Sequence, residues 1–148
     1  RVKAKQYTQL QWEQSAVQSV SSIYGIELLE DNAIACRKRL LDFFKEEYAS
    51  LYRSRCKMEC IESARYLLSK NIIHGDALTY KLANDSNQWI HICEWGFIGK
   101  GMVNRRDYEF SYLVGENEGE DLFSDLPCKT YKPVHFLKLT PQAYGEQI

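Results

Sequence analysis

Apolar residues in the first half of the chain recur at helical spacing. Thr8 followed three residues later by Gln11 makes a capping-box pattern, Trp12, Ala16, Val20, Ile23 and Tyr24 then share one face, and Gly25 supplies a stop. The spacing therefore predicts a first amphipathic helix. Asp31 or Asn32 can cap a second run, in which Ile34, Leu41, Phe44, Tyr48 and Leu51 keep one face and Leu40, Phe43 and Tyr52 widen it. Lys38, Asp42, Lys45 and Glu46 lie opposite, so a long helix over about residues 32–54 is expected as the spine of the fold. Its apolar face is as wide as a core helix needs, and the pattern does not by itself call for self-association. A third helix fits residues 57–70, where Cys60 or Ile61, Ala64, Leu67 and Leu68 recur and Asn71 offers an end. Ile72 and Ile73 form a short apolar element, and Asp76 can cap a two-turn helix bearing Leu78 and Leu82.

The period then changes. Tyr108, Phe110, Tyr112 and Val114 alternate with their neighbours and predict a strand, with a partner strand suggested by Val134, Phe136, Leu137 and Leu139. Between them, residues 115–125 carry five acidic residues, two glycines and no base, a solvated loop. Residues 88–95 suit a buried strand slightly better than a short buried helix, with Trp89 and Trp95 placed in the core. The sum is an α+β chain: three to four helices, then a small antiparallel sheet, in one compact domain over residues 1–148. A helical block followed by strand, loop and strand is also the order of a winged helix, an analogy of fold that carries no function by itself.

Composition narrows the classes. With 19 Lys+Arg against 20 Asp+Glu the 148-residue chain has a net charge of -1, so it is no bulk polycation. No window approaches the ~20 apolar residues needed to span a bilayer, and no membrane partner is expected. The chain opens at Arg1 without Met and reads as a piece of a longer protein. Five cysteines, an odd count with Cys36 and Cys93 in core-like surroundings, favour a reducing interior, nucleus or cytoplasm.

Candidate chemistry is sparse. Cys56 and Cys60 at i and i+4, with His74, His91 and Cys93, offer thiolates and imidazoles of the kind zinc takes, but the spacing is not that of a zinc knuckle. Small buried cysteines in a helical core are the simpler reading, and no metal or cofactor is expected. His74, His91 and His135 accompany no nucleophile elbow or paired carboxylates, so a non-enzyme is expected. The run Gly96-Phe97-Ile98-Gly99-Lys100-Gly101 has the wrong glycine order for a dinucleotide fingerprint. It loosely resembles the GXXG loop of KH domains, yet a strand rather than a helix follows it, and a turn using positive φ accounts for it.

Basic residues are uneven, with 12 against 9 acidic in residues 1–75 and 7 against 11 in residues 76–148. They cluster at Arg37-Lys38-Arg39, at Arg53, Arg55 and Lys57, and at Lys100, Arg105 and Arg106. Convergence of the last two clusters would make a phosphate-contacting patch, though the Arg53 to Lys57 group also complements a helix C-terminus. Ten tyrosines and three tryptophans are many for this length; Tyr48, Tyr52 and Tyr66 sit beside apolar faces, while Tyr131 and Tyr144 have polar neighbours and are candidate exposed contacts. The expectation is a non-catalytic protein–protein interaction domain, scaffolding or regulatory, of a larger intracellular protein. The alternative is a nucleic-acid-binding module of winged-helix-like order using Arg53, Arg55, Lys57, Lys100, Arg105 and Arg106.

Overall fold

The structure, a computed structural model, describes residues 8–114 and 127–147; the acidic loop expected at 115–125 lies outside them. It is α+β, with the helices N-terminal and a three-stranded antiparallel sheet C-terminal. α1 (Gln9–Ser21) starts on the expected capping box: Thr8 Oγ1 accepts the Gln11 N–H, and the Gln11 side chain accepts the Thr8 N–H. β1 (Gly25–Glu27) follows. α2 (Glu30–Tyr52) has no side-chain cap at Leu29; Glu30 and Asp31 occupy its first turn and face the positive end of the helix dipole. A single 3-10 turn (Arg53–Arg55) leads into α3 (Met58–Asn71), which packs against both α1 and α2.

β2 (Ile72–Asp76) continues directly from α3 and pairs in parallel with β1. β1 spans three residues, too few for any periodicity to announce it. The helix expected after Asp76 is absent. Asp76 Oδ1 instead accepts the Leu78 N–H and the Asp76 carbonyl accepts the Tyr80 N–H, so the chain turns into β3 (Lys81–Leu82), antiparallel to β2. Leu78, 90% exposed, finds no apolar partner, and two turns alone do not repay the cost of helix nucleation.

The second sheet has the order β4–β5–β6. Of residues 88–95, those from His91 onward are strand, the start of β4 (His91–Gly99), and Trp89 lies outside the core at 42% exposed. β5 is Met102–Glu109, six residues upstream of the expected 108–114, and Phe110–Leu113 is instead one helical turn, α4. The ladder explains the shift: His91 pairs with Glu109, so beyond Glu109 no partner strand remains. The inward alternation of β5 is Val103, Arg105, Asp107, and a buried ion pair in that rhythm looks like a solvent face when only hydrophobicity is counted. β6 (Lys129–His135) pairs with β5; Phe136, Leu137 and Leu139, expected on a strand, are buried in the coil that follows it.

The β4–β5 turn contains Gly99 (φ 101°), Lys100 (φ 55°) and Gly101 (φ 76°). A Cβ at Gly101 would lie 2.5 Å from His135 Nε2, whereas at Gly99 nothing lies within 4 Å. Gly101→Ala is expected to lose about 1–3 kcal/mol from backbone strain, with the displaced His135 ring adding to it. Gly99→Ala carries only the backbone part, so urea midpoints should rank wild type, then Gly99→Ala, then Gly101→Ala.

One cluster of buried side chains joins Val17 and Val20 of α1, Leu41, Phe44 and Tyr48 of α2, and Leu67 of α3 to Trp95, Val103, Phe136 and Leu139. Asn71 links the layers: it takes the Trp95 Nε1–H at 2.9 Å and donates to the Ser21 carbonyl at 3.0 Å.

Candidate functional site

α2 carries more apolar surface than α3 can cover. Leu41 and Phe44 enter the core, while Leu40 and Phe43 face an open groove of about 650 Å³ along α1 and α2. Ala16 and Val20 line it from α1, Ile23 from the segment just after α1, Phe43 and Leu51 from α2, and Leu68 of α3 contributes to the lining. Trp12, stacked on Tyr48 at 5.3 Å and edge-on to Tyr52 at 5.6 Å, is anchored where it lines the groove. Phe43 is 63% exposed, with Ile23 and Leu51 also open to solvent. Glu47 is the only charged residue of the lining, and the Ser19 and Ser50 hydroxyls donate to backbone carbonyls of their own helices. The sequence gives α2 one wide apolar arc, the pattern of a broad core face. The structure divides it between the core and the groove.

The six basic residues singled out in the sequence do not line this groove. Arg53 and Arg55 are exposed on the 3-10 turn, with the Arg55 guanidinium 5.8 Å from the Tyr52 ring centre. Lys57 Nζ lies 2.9 Å from Glu13 Oε1. Glu13 is fully buried and also accepts from Gln9 Nε2 at 3.0 Å and from the Tyr48 hydroxyl, so Lys57 serves as counter-ion to an interior carboxylate. Lys100 occupies the hairpin tip, and Arg106 pairs with Glu94 at 2.7 Å.

Arg105 is a correction. It is 3% exposed, because β5 points it inward. Its Nε and Nη2 donate to the two oxygens of Asp107 at 2.9 and 3.0 Å, and its Nη1 donates to the Tyr66 hydroxyl at 2.9 Å and to Glu146 at 3.2 Å. The guanidinium carbon lies 4.2 Å from the centre of Tyr131, 4.8 Å from Tyr144 and 5.4 Å from Trp95. Tyr131 and Tyr144, expected as exposed contacts, are therefore walls of a box filled by the chain's own cation. Their polar sequence neighbours concealed this because the box is assembled from β4, β5, β6, α3 and the C-terminal segment. Burial alone would raise the Asp107 carboxyl, but the Arg105 fork outweighs it and holds the group below its ordinary range. Glu146 is also held low: burial opposes ionisation, and Lys70 and Tyr66 overcome it.

The five cysteines are free. Burial pushes the Cys60 thiol up to about 12, with Glu13 adding to it, and burial likewise pushes Cys93 up to about 12, which opposes thiolate formation at both. Among the described residues no three His, Cys, Asp or Glu side chains gather into a metal-holding group. His74 Nε2 lies 3.0 Å from the Leu28 carbonyl, His91 Nδ1 lies 3.1 Å from that of Trp89, and His135 Nδ1 accepts the Leu137 N–H. Gly96 lies within β4, while Gly99 and Gly101 bound its hairpin turn. Among the described residues, no helix is long and apolar enough to cross a membrane. Comparison of the chain with protein-family models, with curated proteins and with solved structures finds no match.

Proposed function

We propose that this chain is a non-catalytic protein-binding domain that takes an apolar helix of a partner into the groove between α1 and α2. The exposed Phe43, between Ile23 and Leu51 on a preformed surface, carries this reading. Fully burying such a side chain contributes about 1.5–3 kcal/mol, and a helix presenting apolar residues at i, i+3, i+4 and i+7 matches a groove walled by two helices. Glu47, which has no ion-pair partner among the described residues, favours a partner with a basic residue beside its apolar stripe. The five free thiols suit a protein of a reducing compartment, nucleus or cytoplasm. The alternative nucleic-acid patch loses Arg105 to the aromatic box and Lys57 to Glu13.

A benzophenone side chain placed at position 43 tests the proposal in cell extract. The expected result is a crosslink to a different polypeptide that disappears with Leu51→Asp. Leu51→Asp itself should leave the melting temperature nearly unchanged, since exposed substitutions usually fall within about 0.5 kcal/mol. A crosslink only to a second copy of this chain, no crosslink, or one indifferent to Leu51→Asp overturns it.

A further inference from the structure

The opposite flank of α2 carries different chemistry. Two adjoining clefts, of about 470 and 350 Å³, share Arg37 and Ser69. The first lies along α2 and α3, where Lys38, Lys45 and Arg65 accompany the apolar Leu41 and Leu68, with Asp42 as its one carboxylate. The second, at the end of α3 and beside β2 and β3, is lined by Lys70, His74, Asn84, Gln88, Trp89 and His91 and by no carboxylate. Arg37 is pinned at the junction, its Nε and Nη2 donating to the Ile72 carbonyl at 2.9 and 2.6 Å, which leaves Nη1 for a ligand.

Lys45 makes no close ion pair among the described residues, and its charge reaches Asp42 only at longer range. Lys38 and Arg65 are held by Asp42 at 2.6 Å and Glu62 at 3.1 Å, exposed pairs of the kind that exchange readily for another anion. Lys70 is already bonded to Glu146 at 2.9 Å and stays with it. At the far end Trp89 is partly exposed, with Lys81 Nζ 4.9 Å from its ring centre. Cations along a trough that ends in an open indole with amide side chains beside it match one ligand chemistry: phosphates joined to unpaired bases.

We infer that this trough binds a single strand of nucleic acid, with phosphates on Arg37 and Lys45 and a base stacked on Trp89. A phosphorylated peptide would satisfy the cations but leave the indole without a role, and duplex bases are already stacked and offer it no free face. The trough shares only Leu68 with the lining of the Phe43 groove, and neither its cations nor Trp89 belong to that groove, so it stands independently of it.

Fluorescence anisotropy of the full chain with a labelled oligouridylate of about 12 nucleotides tests this. Binding at about 50 mM salt is expected to weaken with a log–log slope of at least about -1.4, for two unpaired cations on a single strand. Lys45→Glu should lower affinity and flatten the slope; Trp89→Ala should lower affinity roughly tenfold with the slope retained. Circular dichroism checks that both variants stay folded. The inference is overturned by absence of binding, by either variant binding as wild type does, or by a duplex, a phosphoserine peptide or uridine monophosphate binding as tightly as the strand.

Discussion

Arg105→Ala is expected to cost about 3–5 kcal/mol, because it leaves Asp107 ionised, mostly buried and without its counter-ion. For a domain whose total stability is on the order of 5–15 kcal/mol, that is enough to unfold a substantial fraction of molecules near body temperature. Arg105→Lys should rescue little, since an ammonium cannot reproduce the two parallel bonds to Asp107 together with the stack on Tyr131 and Tyr144. The pH dependence separates this mechanism from simple cavity formation. Asp107 and Glu146 are both held below their ordinary values in the folded state. Their contribution is present above the unfolded carboxylate values near ~4 and is lost as pH falls through the lower folded values. Wild-type stability should therefore drop in that acid window, and in Arg105→Ala the drop should be shallower because Asp107 then loses the guanidinium and keeps only weaker donors such as the Tyr131 hydroxyl. Urea titrations at neutral and acid pH measure both effects. A loss below about 1 kcal/mol, or parallel acid limbs, would show that the box is ornamental to folding.

Lys57→Ala carries the second largest expected effect, about 3 kcal/mol, since Glu13 is fully buried and Lys57 is its cation. The Gln9 amide and Tyr48 hydroxyl still donate to the carboxylate, so the charge, not the hydrogen-bonding capacity, goes uncompensated. Glu13→Gln should then recover part of the loss in the Lys57→Ala background while destabilising the otherwise unaltered chain. That sign reversal in a double-mutant cycle is the signature of the ion pair. Additive effects would mean that Lys57 stabilises only through its alkyl stem. The result also bears on function: a binding defect in a Lys57 variant has to be separated from partial unfolding before it is read as a lost phosphate contact.

Much of the helical half was legible residue by residue. Thr8 and Gln11 cap α1 through atoms three positions apart, and the 3.6-residue period of α2 and α3 is a local property that any burial on one side exposes. The candidate site was only half legible. Leu40 and Phe43 were marked as apolar and facing inward, but whether an apolar flank lies in a core or in an open groove depends on which neighbour covers it. Of the first basic cluster, Arg37 and Lys38 gain Lys45, Arg65 and Trp89 as companions in the trough only when α2, α3 and the β3–β4 region come together.

Local patterning thus settled α1, α2, α3 and the α+β class, because spacing and capping act within a few residues of chain. The tertiary structure decided where β5 ends, that β1 exists, and that Arg105, Tyr131 and Tyr144 close on one another instead of on a partner. Those outcomes rest on pairings across tens of residues. In them a charge becomes an interior residue only because, beside its strand neighbour Asp107, three aromatic rings arrive from elsewhere to replace its water.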